Sequence, residues 1–377
     1  MKKHTLLLAA LTLLLSVSCT QKSETTRSGL DPADFNAVVD GKPVALYTLK
    51  NAAGMEVCIT NFGGRIVSLM VPDRNGELRD VVLGFDNIAD YQNVPSDFGA
   101  SIGRYANRIA HGRLVIDGDT VQLPQNNFGH CLHGGPAGWQ YKVYEARQLD
   151  GKTLELYMDS PDGDENFPGH VKAKVTYNLT DDNAIVIAYE ATTDAPTVVN
   201  MTNHSYFNLS GDPTHTILDH LLTVDADSYT PIDSTYMTTG EIAPVEGTPM
   251  DFRTETAVGA RLHENNEQLK NANGYDHNWV LATAGDAERT AARLVSPETG
   301  ICLTVRTTEP GLQIYTGNFL DGTIKGKKGI VYNPRTAICL ETQHYPDSPN
   351  KPQWPSTLLR PGETYESLCI YGFSIAE

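Results

Sequence analysis

Five polar segments gather most of the side chains able to move protons or grip a ligand: Gly103–Ile109, Leu132–Gly135, Asn203–Leu209, Gly274–Asn278 and Glu341–Asp347. Between them they supply imidazoles, carboxylates, an arginine and aromatic rings. A carboxylate is a base at neutral pH, and an imidazole can hold or release a proton there. Carboxylates and Arg also pair well with hydroxyl groups. The inventory therefore points to general acid–base work on a polyhydroxylated substrate. Glu341 is informative by its place, because it follows Ile338, Cys339 and Leu340 in a run that reads as buried. A carboxylate there is costly unless it is paired or functional.

Other chemistries lack their signatures. His130 and His133 have a spacing that would suit a metal, but no HExxH or acid-rich third-ligand run accompanies them, so no metal is expected. Asp162, Asp164 and Asn166 open like a calcium loop. Phe167 then replaces the required glycine and Ala173 the terminal glutamate. No GxSxG, P-loop or GxGxxG occurs, which argues against an α/β-hydrolase, a phosphate-loop enzyme and a Rossmann dehydrogenase.

The frame that must position these groups reads as all-β. From Pro43 onward, short apolar runs alternate with turn signals, the pattern of a large antiparallel protein. The clearest hairpin joins Val171–Leu179 to Ile185–Ala191 through Asp181-Asp182-Asn183. Asp73–Gly76, Asp117-Gly118 and Asp150-Gly151 read as further turns. Helix signals are few: Asp31-Pro32 predicts a capped turn, and Ala260–Leu269 a short helix. One domain is expected from residue 31 to 377.

With 29 Lys+Arg against 46 Asp+Glu, the net charge of −17 disfavours a nucleic-acid partner. Residues 1–18 combine Lys2 and Lys3 with a leucine-rich run too short to span a bilayer and a small-residue stretch before Cys19. This is an export signal, and Cys19 is placed as the lipid-bearing cysteine of a bacterial lipoprotein. Residues 19–30 read as a polar tether. The expectation is an exported protein, held on a membrane facing the periplasm only by its N-terminal lipid. Cys58, Cys131, Cys302, Cys339 and Cys369 read as buried free thiols, with one disulfide left open.

The segments above, with Ser160–Asp164, Gly311–Asn318 and Arg360–Tyr365, occur in an order that strongly resembles the aldose 1-epimerases, the galactose mutarotases, from about Val44 to Phe373. The resemblance implies a β-sandwich of large twisted antiparallel sheets with an open cleft for one sugar, and no cofactor. It places Glu341 as general base on the anomeric hydroxyl and His204 as general acid on the ring oxygen. Asn107, Arg108, His133, Asp276 and Gln313 fall at the positions that hold the sugar hydroxyls. Two other readings share the fold: a non-catalytic sugar-binding lipoprotein, and a hexose-6-phosphate epimerase, which would want added Arg or Lys around the cleft.

Overall fold

The computed structural model describes residues 25–376, so the expected export signal, Cys19 and the first part of the expected tether lie outside the described residues. Among those described, helix is confined to Ile88–Asn93, Glu267–Ala272 and a few 3-10 turns. The rest of the regular structure is antiparallel strand, as the alternation predicts.

Nine strands form the largest sheet, in the order Glu145–Gln148, Thr153–Ser160, Val171–Leu179, Ala184–Thr193, Tyr365–Ile375, Ile301–Thr307, Ala292–Val295, Leu221–Val224 and Thr256–Ala257. The expected hairpin lies within it: Val175, Tyr177 and Leu179 are buried, while their neighbours in sequence are less so. A six-stranded sheet runs Tyr206–Phe207, Ile338–Gln343, Gly311–Tyr315, Asp276–Val280, Ser228–Thr230, Ala243–Pro244. Ile338, Leu340, Leu312, Ile314 and Trp279 from this sheet share one core cluster with Val175, Ile187, Leu303 and Tyr371 from the larger one. The Tyr371 hydroxyl donates to the Leu340 carbonyl across the same interface, at 2.7 Å. A four-stranded sheet, Leu46–Lys50, Glu56–Thr60, Arg65–Pro72 and Leu78–Asp80, completes the main frame.

Two boundaries differ from the sequence reading. The tether expected over residues 19–30 gives way to packed chain by Thr26, because Thr26, Ser28 and Leu30 are buried. The Ser28 hydroxyl bonds Ser68 at 3.0 Å, and the Arg27 N–H donates to Glu56 at 2.6 Å. Short hydroxyl side chains hid this anchoring in a segment that looked merely polar. The helix expected over Ala260–Leu269 instead runs Glu267–Ala272, because Asn266 caps it by accepting from the Gln268 and Leu269 N–H groups. The capped turn at Asp31 forms as expected, over Pro32–Phe35. All five described cysteines are buried and free.

Candidate active site

Strand alternation builds the first half of the site. In the six-stranded sheet, residues that face the main core alternate with Asp276, Gln313 and Glu341 on the other face. Gln313 stands directly opposite Glu341 in the ladder. Its amide Nε2 donates to Asp276 Oδ1 at 2.7 Å. His204 arrives from another ladder, the strand Thr202–His204 paired with Ala100–Ile102. Its Nε2 lies 3.6 Å from Glu341 Oε1, and both side chains are buried. The imidazole stacks on Tyr206 with ring centroids 5.1 Å apart and meets His133 edge to face at 5.2 Å.

Loop geometry supplies the second half. His133 Nδ1 accepts the backbone N–H of Asn107 at 3.1 Å. A neutral His133 therefore carries its proton on Nε2 and acts as a donor to a ligand oxygen. Burial keeps it neutral, pushing its pKa down to about 3. Gly134 follows because a Cβ there would stand 2.4 Å from the Gly103 carbonyl oxygen. Arg108 directs Nε and Nη2 to Asn127 Oδ1 at 3.3 and 3.0 Å. The Asn107 side-chain oxygen is tied to the Arg108 N–H at 2.9 Å.

These groups converge on a cavity of about 250 Å³, lined by Asn107, Arg108, His133, His204, Asp276 and Glu341 among others. That volume is slightly below the range of about 300–1,000 Å³ typical of drug-sized ligands. It suits one small molecule. Burial raises the Glu341 carboxyl well above its ordinary range, with Asp276 and Asp97 adding to the effect and Arg108 opposing it. Burial lowers His204, with Asp97 opposing. Asp276 is raised by burial against the pull of Arg108 and Gln313. Glu341 Oε2, His204 Nδ1, Gln313 Oε1 and Asp97 Oδ1 are buried and make no hydrogen bond within the protein. Buried polar atoms are nearly always satisfied, so these are open to a hydrogen-bonding ligand.

All seven catalytic and sugar-binding residues expected from the sequence come together here. The remaining imidazoles of the five segments do not. His277 faces the opposite side of its strand, toward Gln268 at 3.2 Å, and His344 pairs with Glu309 at 2.6 Å. His130, weighed as a metal ligand beside His133, accepts from the His111 N–H and meets Thr235 instead. The sequence reading missed Asp97, which lines the cavity. One ligand atom each from Asp97, His133 and His204 lie within 4.8 Å of one another, and His204, Cys339 and Glu341 make a second such set. The only sequence signal for Asp97 was its place just before the Gly-rich stretch that opens at Gly99.

An antiparallel all-β frame with a buried imidazole–carboxylate pair in a small cavity is the arrangement that the resemblance to the galactose mutarotases implies. The comparisons agree. The aldose 1-epimerase family model matches residues 45–372. The chain is 45% identical over 322 residues to a galactose mutarotase of Mus musculus, covering 85% of this chain and 92% of that protein. It is 41% identical over 340 residues to an aldose 1-epimerase of Escherichia coli (strain K12), covering 90% and 97%. A solved aldose epimerase homologue from C. elegans superposes with a TM-score of 0.82 at 32% identity, covering 89% of this chain and all of that one. The chain belongs to the aldose 1-epimerase family.

Proposed function

We propose that this protein interconverts the α and β anomers of free hexoses such as glucose and galactose, with Glu341 and His204 as its acid–base pair. The observation that carries the assignment is the 3.6 Å approach of His204 Nε2 to Glu341 Oε1 inside the cavity. Glu341 takes the proton from the anomeric hydroxyl, whose oxygen lone pair becomes the second bond of the aldehyde. The C1–O5 bond breaks, and O5 takes a proton from the His204 imidazolium. Rotation about C1–C2 and reclosure with the roles reversed delivers the other anomer. The pair thus holds one proton throughout, passing between carboxylate–imidazolium and carboxylic acid–imidazole. Desolvation raises Glu341 and lowers His204. Both shifts favour the carboxylic acid–imidazole form relative to the carboxylate–imidazolium form.

Asn107, Arg108, His133, Asp276 and Gln313 are assigned to the sugar hydroxyls. Arg108 is the only Lys or Arg lining the cavity among the described residues, which favours an uncharged sugar over its 6-phosphate. Polarimetry on freshly dissolved α-glucose and α-galactose tests the activity. Equilibration no faster than the spontaneous rate would overturn the epimerase reading in favour of a sugar-binding protein.

The place of action is inferred from residues 1–30. A lipid on Cys19, carried on the polar residues that follow, would hold the enzyme on a membrane outside the cytoplasm, where sugars released by glycosidases arrive as single anomers. Stable anchoring needs two or more acyl chains. Cys19→Ala should move the protein from the membrane to the soluble fraction with turnover unchanged. Wild-type protein found soluble, with no acyl mass on its N-terminal peptide, would sink the lipoprotein reading alone.

A further inference from the structure

Asp97 lines the sugar cavity, yet neither the proton transfers nor the hydroxyl assignments above use it. It stands three residues before Ala100, the partner of His204 in the ladder that joins Ala100–Ile102 to Thr202–His204. Its neighbour Phe98 is buried and meets Tyr206, the ring on which His204 stacks, edge to face at 4.8 Å. The Asp97 Oδ1 is itself buried and unpartnered within the protein. A carboxylate oxygen cut off from water is costly until a donor reaches it.

Arg65 fixes this loop. Its side chain is fully buried and donates to the carbonyls on either side of Asp97, to Phe98 through Nη1 and to Ser96 through Nη2, both at 3.0 Å. Nη2 also donates to the Gln140 carbonyl at 2.7 Å. Glycine is needed at Gly63, because a Cβ there would stand 2.4 Å from that same Gln140 oxygen and 2.8 Å from Arg65 Nε. The planar fork of a guanidinium suits a clamp on several carbonyls at once. With both flanking carbonyls gripped, the backbone of Asp97 is held in place at the cavity wall.

Contacts order the groups along that wall. Polar atoms of Asp97, His133 and His204 lie within 4.8 Å of one another, as do those of His204, Cys339 and Glu341, and no such set among the described residues holds both carboxylates. His204 therefore stands between Glu341 and Asp97. In the reaction proposed above, Glu341 works on the C1 hydroxyl and His204 on the ring oxygen. The ring oxygen joins C1 to C5, and C5 carries C6. The order Glu341, His204, Asp97 thus follows the sugar from the C1 hydroxyl through the ring oxygen to the C6 hydroxyl. We propose that Asp97 receives the hydroxyl on C6, so that the enzyme prefers neutral hexoses with a free 6-hydroxyl over pentoses, 6-deoxyhexoses and sugars acidic at C6. The inference rests on the epimerase reading above, and adds a substrate preference to it. An analogue without that hydroxyl leaves a buried carboxylate oxygen unpaired. An acidic group at C6 meets like charge.

The test pairs galactose with 6-deoxygalactose, and glucose with xylose, which is glucose without C6, using the full chain. Wild-type kcat/KM should fall at least about tenfold from the first to the second sugar of each pair, the worth of one hydrogen bond to a charged group. Asp97→Ala should bring both ratios close to one, and Asp97→Asn, whose amide still bonds a hydroxyl, to an intermediate value. The charge of Asp97 acts on the proton affinities of His204 and Glu341 whichever sugar is bound, so the ratio isolates the C6 contact. Calorimetric affinities should show the same pattern. Wild-type ratios near one, or ratios that Asp97→Ala leaves unchanged, overturn the contact. If wild-type protein binds these sugars but turns over none, the epimerase reading fails, and the calorimetric ratios decide the contact alone.

Discussion

Gln313 bridges two carboxylates that must stay apart: its amide nitrogen is held by Asp276 at 2.7 Å, while its backbone is paired with that of Glu341. The bond uses one Asp276 oxygen and leaves the other for the sugar hydroxyl proposed above. Gln313→Ala should leave Asp276 free to turn, and raise KM about tenfold while kcat falls less, the scale of one lost hydrogen bond to a charged group. Equal losses in kcat and kcat/KM would show that Gln313 acts on the transition state instead.

Removing either end of the proton pair is expected to be far more severe. Glu341→Gln keeps shape and hydrogen bonding but cannot accept a proton, and His204→Asn cannot deliver one. Each should lower kcat about 10²–10⁴-fold with sugar binding retained. Turnover above a tenth of wild type in Glu341→Gln would remove Glu341 from the role of base.

The pair works only with one proton between its members. Plots of kcat/KM against pH should therefore be bell-shaped, falling on the acid side as a second proton binds and on the alkaline side as the last one leaves. The negative charge of Asp97 favours the proton on both His204 and Glu341. Asp97→Asn should move both limbs to lower pH. A variant that loses activity with both limbs unmoved would make Asp97 a purely structural residue of its loop.

Chelation should leave activity unchanged. The cavity does bring together sets of metal-ligating type, Asp97 with His133 and His204, and His204 with Cys339 and Glu341. The mechanism, however, asks His204 and Glu341 to exchange protons, which a bound cation would block. Inactivation by EDTA that one added divalent ion reverses would contradict the acid–base assignment.

Stability has its own pH signature. His277 is fully buried, and desolvation lowers its pKa from 6.5 to about 3. The unfolded chain binds a proton there first, so the stabilising contribution is present above pH 6.5 and drains away as pH falls toward 3. Glu341 and Asp276, both raised, act in the opposite sense. Urea midpoints should fall between pH 7 and pH 4.5, and His277→Gln should shrink that fall. An identical pH slope in the variant would rule His277 out as a source.

How much of this was legible in the sequence depends on which physical signal each residue left. The alternation along Val171–Leu179 announced a strand with one buried face, and the structure bears that out. Glu341 was legible because a carboxylate at the end of an apolar run conflicts with its surroundings. The five polar segments were legible as a set, yet spacing could not say which imidazoles would converge. His277 and His204 look alike in sequence, and only strand pairing turns one to the core and the other to the cavity. Asp97 carried no contradiction of that kind. Its role depends on a fold that returns residue 97 to the neighbourhood of 133 and 204, and such long-range closure leaves no local pattern. Arg27 and Ser28 were misplaced in the tether for the same reason, since their partners Glu56 and Ser68 lie far along the chain.

The position of the strand Tyr365–Ile375 bears on how the molecule comes to exist at all. It follows every other strand in chain order, yet it is inserted between Ala184–Thr193 and Ile301–Thr307 in the middle of the nine-stranded sheet. Until those residues arrive, the sheet is split and its two halves expose unpaired edges. Strand pairing across such sequence separations is slow. A chain built this way cannot complete its largest sheet until its final strand has been made.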